Sequence, residues 1–259
     1  MEKREKRLEK IIRILKMNNA STVQELAGEL DVSHMTIRRD LEVLSGQNMV
    51  RIIHGGAVLI PESFEDKGES SYSLLTAGAV KTEEKRRIGK KAAGLIGEGD
   101  IIIIDSGSTT EYLARFLPDD LNLTVLCFAM NILKEIAGKR DIKIIFSGGV
   151  FHENTLMFES PEGIALIKRN RATKAFISAS GVSEKLGVTC SNTYERETKR
   201  AAISSSLKRY LVVDSSKFGK VQSDHFAELE DFHYVITDSG ISGEYKGILK
   251  ELGLGLYIV

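Results

Sequence analysis

The sequence predicts an α/β chain in two parts: an N-terminal winged helix-turn-helix and a larger, Rossmann-like α/β domain. Three observations predict it. Residues 1–60 carry three short helical periods followed by a Gly-Gly hairpin. From Pro61 to about Thr82 the chain turns polar and aperiodic. Beyond Gly99, short apolar runs alternate with helical segments to the end. The boundaries expected are therefore 1–60, a linker at 61–82, and 83–259.

In the first helix Leu8, Ile11, Ile12 and Leu15 form one apolar stripe, which runs out at Asn18-Asn19. The second opens at Thr22 with Glu25 three residues on, a capping box. After a turn at Asp31-Val32, Ser33 is placed to cap a third helix in which Ile37, Leu41 and Leu44 share a face toward a small core. Ser33, His34, Met35, Thr36, Arg38 and Arg39 then fill the first two turns, where a recognition helix meets base edges and phosphates of duplex DNA. Either arginine can serve a guanine edge or a phosphate. A solvated helix face with an Arg38–Glu42 pair would carry the same pattern. The run VRIIHGGAVLI that follows reads as strand, turn, strand: a wing, with Arg51 and His54 near its tip. Two helices, a tight turn and a wing in this order point to DNA.

Charge supports the reading only through its placement. Residues 1–60 hold ten Lys and Arg against eight Asp and Glu, and seven of those cations lie between Lys3 and Lys16. The whole chain, with net charge zero, 42% hydrophobic and 28% charged residues, has the composition of a soluble protein with material for a sizeable core. No apolar run approaches bilayer length and MEKREKRLEK is too charged for a secretory signal, so a cytoplasmic protein without a membrane partner is expected. Cys127 and Cys190 stand far apart and the five histidines are scattered, so reduced thiols, no metal site and no cofactor are expected.

In the larger part, IIIID, LTVLC, IKIIF, KAFIS, YLVVD, HYVIT and LGLYIV are apolar without alternation, as strands buried on both faces are. A helix over Thr82–Ile96, whose many cations read as a solvated face, precedes them. Helical segments at Thr110–Leu117, Asn131–Ala137, Pro161–Asn170, Glu195–Leu207 and Glu244–Leu252 lie between strands, which gives an open, largely parallel sheet. Ligands of such sheets bind beyond the strands' carboxyl ends. Asp105-Ser106-Gly107-Ser108-Thr109-Thr110 there joins a strand to a helix and offers hydroxyls and backbone N–H groups to an anion; a Ser- and Thr-rich helix cap would look alike. It lacks the Gly-Lys-Ser/Thr ending of a triphosphate loop. Ser147-Gly148-Gly149 would let a ligand approach the backbone, and Lys217 follows YLVVD as a cation facing the cradle. Together they suit a sugar phosphate, with Asp105 and Glu195 as acceptors for its hydroxyls or, alternatively, as helix caps or partners of Arg196 or Lys199.

The run S-x-M-T-I-R-R-D-L with R-x-x-H-G-G-A resembles the signature of the DeoR family of bacterial transcriptional regulators, and the resemblance extends over essentially the whole chain. It implies a homo-oligomeric repressor of a sugar or nucleoside operon, released from operator DNA by a phosphorylated sugar. The D-S-G-S-T-T loop, Asn131, the S-G-G loop and V-D-S-S-K-F-G are similar to the family's effector domain, itself akin to ribose-5-phosphate isomerase. CFAMN, GGVFH, GVTCSN and VVDSSKFGKV are most similar to members induced by deoxyribose 5-phosphate. The rival is an isomerase-like enzyme carrying an accessory DNA-binding domain. In those isomerases acids follow the strand that here reads Ile177-Ser178-Ala179-Ser180-Gly181-Val182; with those acids gone a sensor is expected, not a catalyst, and Glu195 is the carboxylate that could still act as a base.

Overall fold

The computed structural model describes residues 2–18, 20–47, 49–53, 55–59 and 72–259; the expected wing residue His54 and residues 60–71 of the expected linker lie outside them. In the amino-terminal part α1 (Glu2–Asn18), α2 (Val23–Leu30) and α3 (His34–Gly46) enclose a small apolar centre that includes Ile11, Leu15, Leu26, Ile37, Leu41 and Leu44. An antiparallel sheet closes it, with β1 (Ala20–Thr22) and β2 (Val50–Ile53) on either side of β3 (Gly56–Leu59). The capping box forms as the sequence predicts: Thr22 Oγ1 accepts from the Glu25 N–H at 3.1 Å, and the Glu25 carboxylate accepts from the Thr22 N–H at 2.9 Å. The strand β1 goes beyond the sequence expectation. It is made possible by Gly56, where a Cβ would lie 2.3 Å from the Ser21 carbonyl oxygen.

The larger part begins with α4 (Leu74–Gly78) and α5 (Thr82–Ala93), then winds through β4 (Ile101–Ile104), α6 (Ser108–Arg115), β5 (Leu123–Cys127), α7 (Met130–Ile136) and β6 (Ile142–Phe146). A hairpin of β7 (Val150–His152) and β8 (Met157–Glu159) leads into α8 (Pro161–Arg169) and β9 (Ala172–Ile177). Next come the hairpin β10 (Gly181–Ser183) and β11 (Gly187–Cys190), α9 (Thr193–Ser204) and β12 (Ser206–Val212). The chain ends with β13 (Asp224–Ala227), β14 (Tyr234–Thr237), α10 (Gly243–Glu251) and β15 (Gly255–Ile258).

The seven apolar runs form one parallel sheet in the order β15-β14-β12-β9-β4-β5-β6. Both faces are covered, which is why the runs do not alternate. Ile102 and Ile104 pack with Ile88, Leu113 and Ile132 of α5, α6 and α7, while Ile103 between them joins Ile167, Ala202 and Leu249 of α8, α9 and α10. Winding reverses between β4 and β9: the chain builds outward from β4 to β6, returns to place β9 beside β4, and builds outward again to β15. A crevice opens beyond the carboxyl ends of strands at such a reversal.

Three features depart from the sequence reading. The helix expected over Glu195–Leu207 is α9, Thr193–Ser204, and Leu207 lies in β12. Ser204, Ser205 and Ser206 fall there in succession, a residue type that competes for backbone hydrogen bonds; Ser206 Oγ donates to the Ala202 carbonyl at 2.8 Å. The short antiparallel pairs β7–β8 and β10–β11–β13 have three or four residues per strand, too few for a readable period. And the stretch read as linker includes α4, whose Leu74 is buried and whose backbone N–H donates to the Asn154 carbonyl at 2.7 Å.

Candidate functional site

Two surfaces gather the candidate residues. On the first, Ser33 caps α3, its Oγ accepting from the Thr36 N–H at 3.2 Å. Ile37, Leu41 and Leu44 turn inward; His34, Met35, Arg38 and Arg39 stand exposed and Thr36 is half-buried. Among the described residues neither arginine side chain has a carboxylate partner, so the alternative Arg38–Glu42 surface pair does not form. Asp40, on the inward side, is 1% exposed and accepts from Arg4 Nε at 3.1 Å and Arg7 Nη2 at 3.2 Å. Two cations of the basic first helix thus fasten α1 to α3. Arg51 projects from β2, and its Nη1 lies 3.5 Å from Asp224 Oδ2 in the larger domain.

The second surface is a cavity of about 450 Å³, counting its open mouth, at the reversal between β4 and β9. Ser106, Gly107, Ser108 and Thr109 form one wall and Lys217, from the 3-10 turn after β12, another. Gly107 stands at the N-cap of α6 and no side chain caps the first turn, which leaves amides and the positive end of the helix dipole for an anion. Glycine is needed there because a Cβ would lie 2.8 Å from the Ser178 Cβ. Burial holds the Lys217 ammonium below its ordinary value, against the pull of Asp214.

Behind this wall the remaining candidates brace the loop. Thr110 Oγ1 donates to the carbonyls of Asp105 and Gly107 at 2.8 and 3.0 Å, and Asn131 Nδ2 donates to the Gly107 carbonyl at 3.2 Å. Asp105 does not line the cavity. Fully buried, it accepts from Ser178 N–H and Oγ and from Lys199 Nζ at 2.5 Å, so the alternative of a lysine partner is the one seen. Glu195 does line it, but its carboxylate also caps α9 through Asn192 and lies 3.6 Å from Lys199. Burial pushes Glu195 up; Lys199 is raised despite burial because two carboxylates surround it. Gly148 and Gly149 lie outside the lining. Their positive φ serves a turn, and at Gly149 a Cβ would strike the Glu159 carbonyl oxygen at 2.3 Å.

Sequence reasoning missed other walls. Tyr72, Leu74 and Ala77 bring the start of the larger part over the cavity, and Ser178, Ala179 and Ser180 line it from the end of β9. Lys85, read as part of a solvated cationic face, is instead 2% exposed: it donates to the Ala77 carbonyl and lies 4.0 Å from Asp214. Its position on the buried stripe with Ile88 and Ala92 is the signal that was available. Nothing in the sequence marks Tyr72. Both cysteines are buried and free, and no cluster of metal-ligating side chains occurs among the described residues.

Two family models match the chain: a DeoR-like helix-turn-helix domain over residues 7–63 and a DeoR C-terminal sensor domain over residues 80–239. The HTH-type transcriptional regulator GolR of Listeria innocua is 33% identical over 97% of each chain. The deoxyribose operon repressor of Escherichia coli K12 is 31% identical over 94% of each. Ribose 5-phosphate isomerase A from Neisseria gonorrhoeae superposes with a TM-score of 0.39 at 18% identity over 52% of each chain, too slight a likeness to carry an argument.

Proposed function

Since the chain belongs to the DeoR family of transcription regulators, which are DNA-binding proteins and not enzymes, we propose that it represses a sugar or nucleoside catabolic operon and leaves its operator when a phosphorylated sugar enters the pocket. One observation carries the ligand class: an uncapped helix N-terminus rich in hydroxyls and a half-buried lysine wall the same cavity. That pairing suits a phosphate dianion, while Glu195 and the serines after β9 offer partners for hydroxyl groups. Deoxyribose 5-phosphate is the leading candidate, on likeness to the deoxyribose operon repressor.

On the DNA side, Ser33, His34, Met35, Thr36, Arg38 and Arg39 enter the major groove, and Arg51 and His54 of the wing reach the backbone or the minor groove. A homo-oligomer, at least a dimer, sets two such modules on a two-fold operator. By linkage, sugar phosphate weakens operator binding by the factor by which operator weakens sugar-phosphate binding. A thermal-shift screen against sugar phosphates, followed by release from labelled operator DNA, tests both halves. A panel without a shift removes the sensor half; a protein that ignores every duplex at low salt removes the DNA half.

A further inference from the structure

The larger domain grips the wing through contacts that belong to neither domain's main core. Ile53 and Val58 pack with Leu186 and Val221 in a separate buried cluster. Two ion pairs flank it: Lys185 Nζ to Glu25 Oε1 at 2.5 Å and Arg51 Nη1 to Asp224 Oδ2 at 3.5 Å. Lys185 and Leu186 lie at the tip of the β10–β11 hairpin, Val221 lies on the segment leading into β13, and Asp224 opens that strand.

Both elements start at the pocket. Ser178–Ser180 line the cavity and run straight into β10; Lys217 lines it and runs through Phe218 toward Val221. The two paths are laced together: the Gly219 N–H donates to the Val182 carbonyl and the Gln222 N–H to Thr189 Oγ1, each at 2.9 Å. They also touch closely, since a Cβ on Gly181 would meet the Lys220 carbonyl oxygen at 2.5 Å. A shift of Lys217 or of the serines therefore reaches the wing through a few residues of braced chain.

We propose that the β10–β11 tip and segment 218–224 are a docking surface for this chain's own wing, which withholds Arg51 from DNA and tightens when the pocket fills. The proposal rests on the reading of the pocket as a sugar-phosphate site. Asp224 partly neutralises Arg51 and sets a carboxylate beside any phosphate that would approach it, so the docked wing is the weaker DNA binder. Exposed ion pairs contribute little and the apolar cluster is small, which keeps docked and free wings close enough in free energy for a ligand to choose between them.

The test uses the full chain carrying K185E and L186E, which breaks the tip contacts and leaves the pocket lining intact. Its probes are a duplex selected from random DNA by the wild-type protein, and deoxyribose 5-phosphate. Added acids oppose DNA binding on their own, so a gain in affinity has no trivial electrostatic source. The variant is expected to bind the duplex at least threefold tighter without sugar phosphate. It should also lose at least half of the release that deoxyribose 5-phosphate causes, while the melting shift from that sugar persists. Equal or weaker duplex binding overturns the proposal. K185E alone, at an exposed position, sets two carboxylates face to face and should shift affinity the same way by a smaller factor; a loss of affinity would count against docking. If deoxyribose 5-phosphate neither shifts nor releases the wild type, the pocket reading fails for that sugar, and docking is judged on the ligand-free comparison.

Discussion

On α3 Arg38 and Arg39 stand in solvent without a carboxylate partner among the described residues, whereas behind the pocket Lys199 is 1% exposed between Asp105 and Glu195. A surface that reads a polyanion keeps its cations hydrated and unanswered until DNA arrives. The pocket proposed for a small anion instead needs its cradle fixed in advance, and charges sunk beneath the loop supply that bracing. Function and stability should therefore separate cleanly in the first region and remain fused in the second.

Breaking the buried network is the severest test of that contrast. Lys199→Met leaves Asp105 and Glu195 buried without their cation, and should cost about 3–5 kcal/mol of folding stability in urea denaturation. A loss under about 1 kcal/mol would show the network to be dispensable and the contrast false. Lys217→Ala sharpens it from the other side, because Lys217 faces the cavity and has no carboxylate within ion-pair distance among the described residues. Removing one charge-assisted contact should weaken sugar-phosphate binding by about 1.5–3 kcal/mol and leave a repressor that stays on DNA when inducer is added. Normal induction in that variant would end the phosphate role for Lys217.

The same contrast explains what the sequence makes legible. The sheet strands announce themselves because IIIID and its fellows are apolar on both faces, and the α2 and α3 starts because Thr22 with Glu25 and Ser33 are local capping signals. Ser106–Thr109 and Lys217 are readable for a similar reason: strand ends followed by glycine and hydroxyls are a local pattern with a positional meaning. Asn131 is readable as a candidate but not as a brace, since its partner Gly107 is distant in sequence; for Asp105 the sequence offers both a ligand role and a Lys199 partner, and only the fold decides between them. Tyr72 escapes for the same reason, since it reaches the cavity only through the fold. Lys85 is different: the helical period places it on the buried stripe with Ile88 and Ala92, but its partner Asp214, at the end of β12, is distant in sequence.

On the exposed side, Arg39→Ala should weaken operator binding by about 1–3 kcal/mol if the guanidinium reads a base, and change folding stability by no more than about 0.5 kcal/mol. Electrophoretic mobility shifts with the native operator and with point-substituted operators measure the first, and urea titration the second. Operator affinity equal to wild type would remove Arg39 from the reading face. A stability loss as large as that of the Lys199 variant would erase the distinction between the regions.

The gentlest test is pH, and its sign follows from burial. Burial lowers Lys217 in the free protein, although Asp214 opposes the shift; Lys220 adds to it. A bound phosphate would favour the ammonium and raise it again, so binding takes up a proton between the free and bound values. Sugar-phosphate affinity is then full below the depressed value, falls as pH climbs from it to the bound value, and levels off above. At the acid end the phosphate's own second ionisation, near about pH 6, makes affinity rise with pH through that range. Calorimetry in buffers of different ionisation enthalpy reads the proton uptake directly. The alkaline fall should begin below the range of an ordinary exposed lysine and vanish in Lys217→Ala. A fall that survives that substitution would assign the titration to Lys85, which burial also lowers. It would mean that the pocket's working cation, like its braces, is among the buried groups.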